Sequence, residues 1–185
     1  KTDEPAQTVY FGGGTPSLLS IRQVEALLAA VDLSFGLMEN AEITLEANPG
    51  TLTLDYLREL RATGVNRLSL GVQSFSDAEL AQLGRIHTCE EALESIHWAR
   101  QAGFENLSLD LIFGLPKQSL RAWENNLREV IRIHPEHLSL YNLIVEESTP
   151  LAEQIANKEI PAPDDDVAAD MYELTMDFLA SAGYE

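Results

Sequence analysis

Cysteine is the scarcest reactive residue in this chain: Cys89 stands alone among 185 residues. One thiol cannot close an internal disulfide, and by itself it cannot hold a structural zinc or an iron–sulfur cluster. Its neighbours Glu90 and Glu91 further discourage the thiolate. A chain without disulfides fits a reducing compartment, so a cytoplasmic location is expected. Cations are also scarce. Twelve Lys and Arg stand against thirty Asp and Glu, a formal net charge of −18 at pH 7. A surface of that sign repels phosphate backbones and argues against a nucleic-acid partner. Its plain consequence is solubility. No apolar run approaches the ~18 residues of a membrane span. The opening Lys1-Thr2-Asp3-Glu4-Pro5 is no apolar leader either. The phosphate-cradling patterns G-x-G-x-x-G and G-x-x-x-x-G-K-[ST] are missing. His87, His97, His134 and His137 show no metal-ligand spacing, and no Ser-His-Asp or Cys-His set supports nucleophilic catalysis. Neither a metal ligand nor a catalytic residue is assigned from these residues.

What is present is an ordinary core and a strict alternation of elements. Apolar residues make up 45% of the chain, enough for one domain of this length. Strand-like runs lie at about 8–11, 42–46, 65–72, 107–113 and 137–144, each followed by a helical period. Ser20-x-x-Gln23, Ser76-x-x-Glu79 and Thr88-x-x-Glu91 have the form of capping boxes, and Thr53 and Ser119 read as further N-caps. Thr149-Pro150 opens a short helix. Asp164-Asp165-Asp166 opens a last one, with Val167, Met171, Leu174 and Phe178 expected inward. Repeated β-α units imply a parallel sheet covered by helices, either a (β/α) barrel or a doubly wound sheet.

In both architectures the active site lies at the C-terminal ends of the strands. There the sequence places Gly12-Gly13-Gly14-Thr15, Glu46, Gln73, Asp110 and Tyr141-Asn142, with Arg85 after a short helix. Three consecutive glycines leave bare backbone for a ligand to approach. Carboxylates after buried apolar runs need partners, and an arginine can clamp a carboxylate. Taken singly, each of these residues has a structural explanation; their joint placement points to a ligand with cationic and hydroxyl groups.

The ordered motifs Gly12-Gly13-Gly14-Thr15-Pro16-Ser17, Glu46-Ala47-Asn48-Pro49-Gly50, Gly71-Val72-Gln73-Ser74-Phe75, Gly84-Arg85-Ile86-His87, Asp110-Leu111-Ile112-Phe113-Gly114-Leu115-Pro116 and Tyr141-Asn142-Leu143-Ile144-Val145-Glu146-Glu147 resemble the radical S-adenosylmethionine (SAM) proteins of the oxygen-independent coproporphyrinogen III oxidase group. Glu46-Ala47-Asn48-Pro49-Gly50 resembles the haem-chaperone branch more than the oxidase branch. The resemblance implies an α/β fold: a partial (β/α) TIM-like barrel of the radical SAM type, lacking its first β/α unit. The whole of 1–185 would be core, with barrel units over about 8–150 and a C-terminal helical extension over 151–185. It implies that Gly13, Gly14 and Thr15 hold the SAM amino group, that Glu46, Gln73, Arg85 and Asp110 contact the rest of SAM, and that Ile144 lines the adenine. The family's 4Fe-4S cluster uses three cysteines in C-x-x-x-C-x-x-C spacing, expected upstream of Lys1, so this stretch alone is expected to be inactive. Haem or porphyrinogen and a haem-acceptor protein are the further partners implied. Coproporphyrinogen III oxidation, and a non-catalytic β/α-barrel binding module, are the alternatives. Self-association through an exposed strand edge beside residues 8–11 is also expected.

Overall fold

The computed structural model describes residues 4–184. Its elements alternate: β1 (Ala6–Phe11), α1 (Ile21–Phe35), β2 (Leu37–Ala47), α2 (Leu54–Ala62), β3 (Arg67–Gln73), α3 (Asp77–Gln82), α4 (Cys89–Gln101), β4 (Asn106–Phe113), α5 (Leu120–Ile133), β5 (His137–Asn142), α6 (Pro150–Ala156) and α7 (Asp165–Ser181). The strand order in the sheet is β1-β2-β3-β4-β5, and β1–β2 and β2–β3 pair in parallel. That order decides between the two architectures. A doubly wound sheet reverses its order at a switch point, whereas a barrel adds each strand beside the last. The fold is a partial (β/α) barrel of the TIM-like kind.

The chain divides into two compact units. One runs to Val72 and takes in Glu90–Leu109; the other holds Gln73–Cys89 and everything from Asp110 onward. In the first unit, β1 and β2 begin earlier than expected, because Ala6 pairs with Leu37 ahead of a register shift at Thr8. The polar stretch Glu39-Asn40 shows no apolar alternation; it lies in the register shift between the Ala6–Leu37 and Thr8–Glu42 pairs. Before β3, the Asn66 carboxamide donates to Ala41 O (2.9 Å) and accepts from Ile43 N (2.8 Å), so β3 starts only at Arg67. The core of this unit is Leu45, Leu57, Leu60, Leu68, Leu70 and Leu107, with Ala92, Ile96 and Ala99 of α4 inward as their spacing requires. Gln23 accepts from the Ser20 N–H at 2.8 Å at the head of α1, and Thr53 caps α2 by accepting from Tyr56 N.

The second unit is centred on Trp123, Leu111 and Leu127. Ser119 caps α5 and Thr149 caps α6, as expected. Asp164 caps α7, accepting from Asp166 N and Val167 N. The face that α7 buries differs from the expectation. Ala168, Met171 and Thr175 are buried, while Val167, Leu174 and Phe178 sit at its margins. The physical reason is Trp123, whose buried indole N–H donates to Thr175 Oγ1 at 2.7 Å. A donor in an apolar interior needs an acceptor, and the helix is turned to supply one. The Ser76-x-x-Glu79 capping box is not formed either: Ser76 makes no side-chain cap bond and Glu79 turns inward.

Candidate functional site

In the first unit the site is built on the turn after β1. Gly13 and Gly14 have φ of +82° and +60°, a region that side chains disfavour. A Cβ at either would meet nothing within 4 Å, so the outside of the turn is open backbone. Gly12 faces the protein: a Cβ there would lie 2.9 Å from the Tyr10 ring and 3.2 Å from Glu46 Oε1. Glu46 fastens the turn. Its Oε2 accepts the Gly13 N–H at 3.0 Å, and its Oε1 accepts the Tyr10 hydroxyl at 2.9 Å.

Strand register explains the arrangement. Tyr10 lies opposite Thr44, Thr44 opposite Arg67, and Glu46 opposite Ser69; Phe11, Leu45 and Leu68 alternate onto the other face. One face is therefore polar and leads to Glu46. Behind the turn, the Ser17 and Thr51 hydroxyls are 2.6 Å apart and Thr51 donates to Asn48 O at 2.7 Å. This joins the Gly12–Ser17 turn to the Asn48-Pro49-Gly50 turn. Thr15 sits half-buried at the head of the short 3-10 turn Pro16–Leu18.

In the second unit, Gln73 ends β3 with φ +67°, in the left-handed region, and is buried. A non-glycine residue held there costs on the order of 1–3 kcal/mol and marks a position fixed by its surroundings. Among the described residues its carboxamide makes no hydrogen bond. Arg85 follows Gly84 after α3 and is half-buried. Burial lowers its guanidinium pKa from the ordinary value, and no carboxylate pairs with it among the described residues. Asp110 lies inside β4, three residues before the strand ends at Phe113, rather than at the strand end itself. Alternation sets it with Ser108 and Ile112, away from buried Leu107, Leu109, Leu111 and Phe113. Ile144 lies beyond β5, exposed, and with Leu83, Gly84, Leu143, Glu146 and Leu151 lines a cavity of about 490 Å³. That volume is within the range of small-molecule sites.

The structure thus joins Glu46 to Gly13 in one unit and places Ile144 beside Gly84 in the other. Sequence reasoning missed Tyr10, whose place beside Thr8 in the period-2 pattern was the available signal. It also missed Asn126, a polar residue among Trp123, Leu127 and Val130 on the buried face of α5.

A sequence profile of the Radical SAM superfamily matches residues 1–130. The chain belongs to that superfamily. Curated relatives agree. The heme chaperone HemW of Lactococcus lactis is 40% identical over 181 residues, which is 98% of this chain and 48% of the relative. HemW of Escherichia coli is 42% identical over 97% of this chain and 46% of its own length. The mouse radical S-adenosyl methionine domain-containing protein 1, mitochondrial, is 43% identical over 96% of this chain and 40% of its own. Among solved structures, coproporphyrinogen III oxidase (HemN) of E. coli superposes with a TM-score of 0.84 and 32% identity, covering 97% of this chain and 41% of that one. The archaeal Elp3 of Methanocaldococcus infernus, at TM-score 0.72 and 19% identity over 83% of this chain and 40% of that one, shows the fold alone. This radical SAM chain spans about half the length of the curated relatives it matches.

The cofactors of the family are SAM and a 4Fe-4S cluster. The residues present fit the first and not the second. Taken unit by unit, the open backbone after β1 suits an ammonium, while in the second unit a guanidinium without a carboxylate partner among the described residues suits a carboxylate and the cavity beside Ile144 suits a nucleoside. A cluster needs three thiolates and the sequence has one cysteine. The Cys89 thiol pKa is also pushed up, first by burial and then by Asp77 and Glu129, which opposes the thiolate. Among the described residues no group of three or more His, Cys, Asp and Glu is arranged for a metal.

Proposed function

We propose that this chain is the SAM-binding core of a radical SAM haem chaperone. Barrel units occupy about 8–150, and 151–185 form a helical extension of the core. One observation carries the SAM assignment: in a chain with thirty acidic residues, the half-buried Arg85 has no carboxylate partner among the described residues. Such a guanidinium is suited to receive the carboxylate of SAM. Gly13, Gly14 and Thr15 would offer backbone and hydroxyl oxygens to the SAM ammonium, on a turn that Glu46 holds in place. The Gln73 carboxamide would donate to or accept from the remaining polar groups, the Asp110 carboxylate would accept from them, and Ile144 would cover the adenine.

SAM contributes a sulfonium whose carbon–sulfur bond is the reactive one; the residues here bind and orient it. No step through the iron–sulfur cluster is derived, because its ligands are not among these residues. The haem assignment is supported by the relatives named heme chaperone HemW, and transfer to an acceptor protein in the cytoplasm is proposed with it; oxidation of coproporphyrinogen III is the reading supported by HemN. The full-length protein incubated anaerobically with coproporphyrinogen III and SAM decides between them. The chaperone reading expects no protoporphyrinogen and a stoichiometric Soret shift on haem addition; product formation overturns it.

For residues 1–185 taken alone, we also propose self-association. In the described sheet β1 is a terminal strand, and Leu33 (82% exposed), Phe35 and Leu27 of α1 are open to solvent. Sedimentation at about tens of micromolar should show dimers that L33E/F35E abolishes; monomer at every concentration refutes this.

A further inference from the structure

Glu79 is the buried carboxylate that the SAM-binding reading leaves without a role. It accepts the Ser74 hydroxyl at 2.5 Å, the Gln118 amide at 3.0 Å and the Asn126 amide at 3.0 Å. No Lys or Arg takes part in these bonds. Asn126 Oδ1 in turn accepts the Phe75 N–H at 2.6 Å and lies 3.2 Å from the Ser74 hydroxyl, and Ser74 Oγ accepts the Ser76 N–H at 3.0 Å. Gln118 Oε1 accepts the Leu115 N–H at 3.2 Å. One carboxylate therefore ties α3, α5, the Gly114-Leu115-Pro116 turn and the segment Ser74–Ser76 together. That segment begins immediately after Gln73, the buried residue with φ +67°.

A buried anion held by neutral donors is costly unless the geometry it fixes is needed. Here Ser74, Phe75 and Ser76 are each pinned, through a hydroxyl or a backbone N–H, directly at the exit of a strained residue. We infer that Glu79 is a positioning residue: with Ser74, Asn126 and Gln118 it holds Gln73 in the left-handed conformation that presents its carboxamide to SAM. The inference rests on the SAM-binding reading. It also accounts for the capping box that fails to form, since the carboxylate that would cap α3 at Ser76 is used one layer deeper.

The test is a double-mutant cycle on the full-length protein, reading SAM dissociation constants by equilibrium dialysis. E79Q places an amide against amide donors and should weaken SAM binding about tenfold. In a Q73A background, E79Q should change the constant by less than about twofold, because its effect runs through Gln73. E79Q/N126D moves the carboxylate across the same hydrogen bond and should restore part of the affinity, the rest being lost because an aspartate there cannot donate to Ala122 O as Asn126 Nδ2 does at 3.2 Å. Without SAM, hydrogen exchange of the Phe75 and Ser76 amides should accelerate in E79Q and recover in E79Q/N126D. S74A, which cuts the link nearest Gln73, carries the same expectation if E79Q does not fold. Additive losses in the cycle, or an unchanged constant in both E79Q and S74A, overturn the positioning role while leaving SAM binding intact. A wild-type protein that does not bind SAM overturns the functional reading and this inference with it.

Discussion

Replacing Arg85 by methionine, R85M, separates function from stability, and the two effects should carry opposite signs. The guanidinium is half-buried, and burial alone moves its pKa down, with no acidic neighbour offsetting the shift. Among the described residues it therefore bears a desolvation cost without an ion pair in return. Methionine keeps the stem's apolar contacts and removes that cost, so the melting temperature of R85M should be unchanged or slightly higher. Binding should move the other way. A hydrogen bond to a charged group is worth about 1.5–3 kcal/mol, while a fully exposed ion pair is worth ~0–1 kcal/mol. Half-burial sets the loss between these, about 1–2 kcal/mol, or a roughly 5–30-fold weaker SAM complex. The assay is calorimetric titration with SAM and with decarboxylated SAM. The second ligand lacks the group that Arg85 would hold, so wild type and R85M should bind it equally. An R85M protein that binds SAM as wild type does, or that loses both ligands equally, refutes the assignment. A large fall in melting temperature refutes the premise that Arg85 lacks a structural partner.

Two further outcomes test the frame around the site. T175V keeps the shape of the side chain but removes the acceptor of the buried Trp123 indole. Stranding that donor should cost about 2 kcal/mol, or roughly 4–8 °C in melting temperature for a chain of this size; a neutral result would contradict the assigned face of α7. Cys89, with a thiol pKa raised by burial and by Asp77 and Glu129, should react with iodoacetamide more slowly than a free thiol near neutral pH, with a rate that climbs only above the usual thiol range. Because the raised pKa favours the protonated form, E129Q should shift that rate profile to lower pH, and an unshifted profile would remove Glu129 from the explanation, leaving burial and Asp77.

The fold was legible because it rests on local signals that repeat. Helix caps at Ser119, Thr149 and Asp164 and the apolar runs of β3 and β4 are each written within a few residues. Where the reading erred, the deciding partner was distant in sequence. The start of β2 is fixed by the pairing of Leu37 with Ala6, ahead of a register shift, and not by its own pattern. The buried face of α7 is set by an indole 52 residues away. Glu79 has the spacing of a capping residue, and the distant Asn126 and Gln118, brought near by α5 and the turn before it, join the nearby Ser74 in drawing it inward. At the site the same division holds. The glycine turn and Glu46 stand out as residues, but that Glu46 is bound to the turn's own amide follows from strand register, which one sequence does not display.

Charge supplies one more constraint on how ligands reach this molecule. The chain carries a formal charge of −18, yet the group proposed to receive a carboxylate is a lone arginine. These facts are compatible if the long-range field and the local contact act on different parts of the ligand. SAM at neutral pH bears an ammonium, a sulfonium and one carboxylate, so its net charge is positive and the acidic field draws it in. Close to the protein, within about a Debye length of ~10 Å at 0.1 M salt, the single guanidinium sorts the carboxylate end from the cationic end. Haem, with two propionates, meets the same field as a repulsion. The association rate of SAM should therefore fall as salt is raised from about 0.05 to 0.5 M, while that of haem should rise, because screening removes attraction in one case and repulsion in the other. Stopped-flow measurements of both ligands on the same full-length protein provide the comparison. Slopes of the same sign would mean that the acidic surface does not govern approach to the site, and that an additional basic region outside residues 1–185 directs at least one of the two ligands.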